Sequence, residues 1–267
     1  MRDDLTRDWF GDGEDPARYD PVRSARAGLK AQLPKRFYTT VSAELRDGQH
    51  VLLLDGKPAR TKLRNLLATG APAAAALLVE EWSAQGERID PATMPVTRIL
   101  HAAIDHVVNA RQEVIDDILN YAGTDVVCYR AADPDRLVEL QQQHWDPVLA
   151  HIAAAYGARF VLSEGIRYVE QTPEAIAALR QPVTALAPSP AALAALHVLT
   201  TLAGSALIAL SVADGYLSAD AGFDAGEVDA DFEVSVWGSD DEAVARRAAR
   251  LGDFRAAARL LAALAAG

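Results

Sequence analysis

The chain has 267 residues, half of them hydrophobic, which is enough to bury a full core in one large domain or two ordinary ones and excludes a disordered protein. Lysine and arginine number 26 against 37 aspartates and glutamates, and the resulting net charge of -11 repels phosphate backbones, so nucleic acid is excluded as a partner. A lone cysteine, Cys128, forbids an intrachain disulfide and points to a reducing compartment.

Residues 1–34 are rich in Asp, Arg, Gly and Pro without sustained periodicity and are expected to form a mobile arm. The opening MRDDLTRDWFGDGEDPARYD has neither the apolar core of a secretory signal nor the acid-poor, Arg-rich character of a transit peptide, so a cytoplasmic protein is expected. Folding signals begin with KRFYTTVSAEL. Two Asp-Gly pairs, Asp47-Gly48 and Asp55-Gly56, each lie between β-favouring runs, which predicts a three-stranded antiparallel meander over 36–62. Such a meander cannot stand alone in water, so helices must cover it.

From Pro72 the period changes to helical, first in APAAAALLVEEWSAQ, then at Val96, Ile99, Leu100, Ala103 and Val107, and again at Val114, Ile115, Ile118 and Leu119. TDVVCYRA reads as a short strand, the segment after Pro134 as a long helix, and RFVLSEGIRYVEQ as a hairpin turning at Glu164-Gly165. Thr172-Pro173 and Ser189-Pro190 each place a capping hydroxyl before a proline at the first helical position. Residues 181–213 lack any charge, yet His197, Thr200, Thr201, Gly204 and Ser205 dilute them and Asp214 follows, so they predict a buried helix and no membrane insertion. The sum is an α+β fold: a small antiparallel β-rich N-terminal domain over 35–90, followed by a larger, mainly α-helical C-terminal domain over 91–267.

Catalytic and cofactor signals are sparse. No phosphate loop or dinucleotide fingerprint occurs. Ser205 in LAGSALIA lacks the second glycine of a nucleophile elbow, and Cys128 in DVVCYR has the apolar neighbours of an inert buried thiol. His144 and His151 are seven apart and His101 and His106 five apart, neither being metal-ligand spacing, and His197 reads as a hydrogen-bonded core histidine. No catalytic residue, cofactor or metal is therefore assigned.

Two stretches invite a binding reading. Between Asp214 and Glu242 there are ten acidic residues and no Lys or Arg, followed by Arg246, Arg247, Arg250, Arg255 and Arg259. Charge runs of this kind are commonly solvated faces. Here Phe232 and Trp237 lie inside the run, and aromatic anchors in a charged surround are what protein interfaces use for affinity and steering. Asp229, Asp231, Phe232, Glu233 and Trp237 are the candidate partner-binding residues. The second stretch, EEWSAQGERIDPATMPVTR, offers carboxylates without a nucleophile or electrophile to work on. It reads instead as a joint between sheet and helices, with Trp82 ending one helix, Gly86 terminating it and the next starting at Thr97; Trp82 and Arg98 would brace it.

That stretch, with LLLDGKPARTK before it and ILNYAGTDVVCYRA, HWDP, LHVLTTLAGSALIAL and WGSDDEAVARRAARLGDF after it, resembles the ATP synthase assembly chaperones that act on the alpha subunit of the catalytic sector. The series spans residues 35 to 260 in consistent order, which is more specific than any one short pattern. The resemblance implies a non-enzymatic chaperone, with a β-rich and a helical part, that binds free alpha subunit and prevents its aggregation until beta subunit replaces it. It implies the cytoplasm of an alphaproteobacterium here and the mitochondrial matrix for eukaryotic relatives, and a monomer is expected. A general holdase and an enzyme with a small-molecule pocket between two domains are the alternatives that the residues leave open.

Overall fold

A computed structural model describes residues 33–165 and 167–266. The arm expected over 1–34 lies almost wholly outside the described residues. The chain divides into two compact units. In the smaller, described over 33–37 and 85–92, Lys35 and Arg88 form an antiparallel bridge, Arg36 N–H donates to Glu87 O at 2.8 Å and Ile89 N–H to Pro34 O at 2.9 Å.

The larger unit opens on the expected meander. Strands β1 (Val41–Arg46), β2 (Gln49–Leu54) and β3 (Lys57–Pro58) pair antiparallel in that order, and a strand not anticipated, β4 (Ala68–Thr69), also pairs with β2. Both hairpin turns have left-handed backbone at Asp47-Gly48 and Asp55-Gly56, with φ of 48° and 77°, and 48° and 75°. That is the geometry for which Asp-Gly is selected, because neither residue resists positive φ strongly. The run Val51–Leu54 is buried, as an uninterrupted apolar strand should be, and helix α1 (Pro72–Ser83) packs on β1, β2 and β4 through Ala74, Ala75 and Leu78.

Helix α2 (Pro95–Ala102) runs into a π-helical turn, Ala103–Val107. Buried Asp105 in that turn accepts hydrogen bonds from the Thr61 hydroxyl at 2.6 Å and the Asn65 amide at 2.9 Å, so it holds the loop between β3 and β4. Then follow α3 (Arg111–Gly123), the long α4 (Asp135–Tyr156), α5 (Pro173–Leu186), α6 (Pro190–Ala203), α7 (Ala206–Ala213), α8 (Ala219–Gly226), α9 (Val228–Trp237) and α10 (Asp241–Ala265). Thr172 and Ser189 cap α5 and α6 as the sequence predicts, accepting from Ala175 N and Ala192 N at 3.2 and 3.1 Å. The fold is α+β, with the antiparallel sheet early and helices after it.

Several local expectations are corrected. The uncharged run is the end of α5 and two further buried helices, α6 and α7, which separate because Gly204 adopts φ 62° and Ser205 caps a new helix by accepting from Ile208 N at 2.9 Å. TDVVCYRA is a 3-10 turn, Val126–Cys128, leading into strand β5 (Tyr129–Arg130). Among the described residues no strand pairs across Glu164-Gly165 as a hairpin. Strand β6 (Ser163–Glu164) instead pairs parallel with β5, and the Gln171 side-chain amide closes the loop by bonding both Val161 N and Val161 O at 2.8 and 2.9 Å. Helix α1 is capped at Ala84, before Gly86, and α2 begins at Pro95, two residues ahead of Thr97.

Candidate functional site

The acidic segment folds as α8 and α9, and the basic helix α10 returns beside α8. Ser218 caps α8, Gly238 ends α9 with φ 79°, and Asp240 caps α10 by accepting from Ala243 N at 2.6 Å. This turn brings three of the arginines, Arg247, Arg250 and Arg255, onto acids that precede it. Arg255 pairs with Asp220 at 2.6 Å, Arg247 with Asp231 at 2.6 Å and Asp224 at 3.3 Å, and Arg250 with Glu227 at 2.8 Å. The hydrogen bond from Arg255 holds the Asp220 carboxyl below its usual range, and the Asp231 carboxylate raises the Arg247 guanidinium. Arg247 also lies over the buried Phe223 ring at 5.2 Å.

The five candidate residues divide by direction. Asp229 accepts from the buried Gln141 amide of α4 at 2.7 Å, while Asp231 takes two hydrogen bonds from Arg247, at 2.8 and 2.6 Å. Phe232 is half-buried on the inner side with Val228. Glu233 faces solvent, and Trp237 is 85% exposed, unusual for a side chain so large and apolar. Thus the structure gathers all five on one short helix and presents Glu233 and Trp237 outward.

Trp82 and Arg98 meet different neighbours. The Trp82 indole N–H donates to the Thr97 hydroxyl at 3.1 Å, and its carbonyl accepts from the Tyr38 hydroxyl at 2.7 Å. Beside it Glu81, missed as a structural residue by its sequence context, accepts from Val96 N at 2.6 Å and from Thr97 N and Oγ1 at 2.8 Å. Since Met94 offers α2 no side-chain cap, Glu81 supplies one from a different helix, and burial raises its carboxyl above the usual value. Arg98 pairs with Asp253 of α10 at 2.6 Å.

Two quoted motifs converge at the wholly buried Asp125, another residue that the sequence did not single out. Its carboxylate accepts from Val127 N at 3.3 Å in its own motif and from Leu207 N at 3.1 Å at the start of α7, and the Ser205 hydroxyl also bonds it. Burial pushes its pKa up to about 7. The only signal was an Asp preceding an apolar turn. Cys128 is fully buried and its thiol is pushed up to about 12 by that burial, the state of an inert thiol. His197 is corrected: it is no core residue but sits part-exposed, bonded to Asp117 at 2.7 Å. Among the described residues no three His, Cys, Asp or Glu side chains could hold a metal ion, and no helix is long and apolar enough to cross a membrane. A recess of about 430 Å³ beside β4 is lined by apolar side chains, with Gln49, Thr69 and Ser189 as its polar ones.

The fold as a whole is similar to that of solved bacterial proteins. An Agrobacterium tumefaciens protein described as a candidate chaperone superposes with a TM-score of 0.83 at 43% identity, over 92% of this chain and 91% of that one. ATP12 from Paracoccus denitrificans gives 0.79 at 35% identity, over 86% of this chain and 98% of that one, and a single-residue variant of it gives 0.78 at 34% with the same coverage. A family model described as ATP12 chaperone protein matches residues 35–153. The chain belongs to the ATP12 chaperone family.

Proposed function

We propose that this protein is a non-enzymatic assembly chaperone of the ATP synthase catalytic sector, acting in the cytoplasm as a monomer. It binds free alpha subunit and keeps it from aggregating until beta subunit takes its place. The observation that carries this reading is membership of the ATP12 family, supported along nearly the full length of the Paracoccus protein. The physics is consistent with it. An unassembled ring subunit exposes the apolar surface its neighbour will cover, and patches that large aggregate. A shield that must later leave favours a polar, moderately sized interface over an obligate apolar one. Asp229, Asp231, Phe232, Glu233 and Trp237 form the partner-binding helix in this reading, while Trp82 and Arg98 brace the joint between sheet and helices.

The test is the aggregation of purified alpha subunit, followed by light scattering with and without the chain, beside an unrelated aggregating client such as citrate synthase. Suppression for alpha subunit alone is the expected result. Equal protection of both clients would make the protein a general holdase, and protection of neither would remove the chaperone reading.

A further inference from the structure

Helix α9 is apolar on two sides. Val228 is buried and Phe232 half-buried on the inner one, and the flanking acids Asp229 and Asp231 tie the helix to Gln141 and Arg247. On the opposite side Ala230, Glu233, Val234 and Trp237 are all exposed, and their spacing of i, i+3, i+4 and i+7 makes one continuous stripe. A helix anchored by one face ordinarily turns polar residues to water on the other. This one turns out Val234, 42% exposed, and Trp237.

Along the chain the charge at that stripe has one sign, and Arg247 of α10 reaches α9 at Asp231, outside the stripe. Glu233 lies within it and exposed Asp240 and Asp241 follow it, while no Lys or Arg occurs from Val228 to Glu242. We infer that the Ala230–Val234–Trp237 stripe inserts into an apolar groove rimmed by Lys and Arg on the alpha subunit, with Glu233 meeting the basic rim. This inference rests on the proposed function and narrows it: Glu233 and Trp237 touch the client, while Asp229 and Asp231 position the helix. The recognition is of the helix-in-groove kind, in which apolar residues at helical spacing supply affinity and the acids steer approach.

The full-length chain is titrated against purified alpha subunit by biolayer interferometry at low and high salt, using wild type, Trp237→Ala and Glu233→Lys. Unfolding midpoints are expected to stay unchanged because both side chains are exposed. Trp237→Ala is expected to weaken binding roughly tenfold or more, as loss of an aromatic anchor does. Glu233→Lys should weaken it several-fold and flatten its salt dependence. If wild type binds and both variants bind within about twofold of it, the stripe is overturned and the chaperone function stands. If wild type captures no alpha subunit, both fall. A wild-type dimer made monomeric by Trp237→Ala would show a second copy on the stripe, and would also overturn the proposal.

Discussion

At the scale of single residues, the buried carboxylate of Asp125 carries the clearest prediction. In the unfolded chain it titrates near 3.8, and in the fold near 7, because burial penalises its charged form more than the bonds from Ser205, Leu207 and Val127 favour it. Between those values the native state holds a proton that the unfolded state has released. Its contribution is therefore full below 3.8 and is lost as pH rises through about 7. Denaturant unfolding at about pH 5 and about pH 8 should show wild type losing stability over that interval relative to Asp125→Asn, which has no carboxyl to titrate. Equal changes in the two proteins would mean that Asp125 is ionised in the fold. The same residue shows why part of this structure was hidden in the sequence. TDVVCYRA announces β-forming residues, whereas the bond from Leu207 that fixes Asp125 comes from a helix start 82 residues away.

At the scale of elements, what the sequence made legible was local, and what it hid depended on distant partners. Asp47-Gly48 and Asp55-Gly56 specify their turns alone, and Thr172 and Ser189 cap their helices with their own hydroxyls, so the meander and the starts of α5 and α6 were readable. The pairing of β4 with β2 and of β5 with β6 needs long-range closure. Helix packing has the same character, and glycine is where it can be tested. A Cβ on Gly226, at the end of α8, would stand 2.9 Å from the Ala203 Cα and 3.1 Å from its carbonyl oxygen, so α8 and α6 approach too closely there for any side chain. Gly252, inside α10, has nothing within 4 Å. Gly226→Ala should therefore destabilise by roughly 1–3 kcal/mol through overpacking against backbone. Gly252→Ala should stabilise by about 0.5–1 kcal/mol, because alanine loses less backbone entropy in a helix. Thermal unfolding of the two variants checks both signs, and a stabilised Gly226→Ala would refute the close approach.

For the molecule as a whole, α10 is the element to which the larger unit is tied, since α1, α2, α6, α7 and α8 all pack on it. Its arginines also decide how the acidic segment is used. Read along the chain, ten acids without a cation form one charged run; folded, Asp220, Asp224, Glu227 and Asp231 are paired and the outward stripe of α9 remains. Pairing of this kind is invisible to a sequence window because the two charge blocks are separated by a turn at Gly238. The pairs are not equivalent. Arg246 joins Glu242 one turn away with both side chains more than half exposed, an arrangement that contributes about 0.5 kcal/mol or less. Arg250 instead neutralises Glu227, whose side chain is 7% exposed, and also donates to Leu202 O at 2.7 Å. Arg250→Ala leaves a buried carboxylate without its cation, which should cost about 2 kcal/mol, below the fully buried case because Arg250 itself is 44% exposed. Arg246→Ala should leave the unfolding midpoint in urea nearly unchanged. If the two variants unfold alike, Glu227 draws its compensation from other groups and the Arg250 pair adds nothing to how α10 holds the acidic helices.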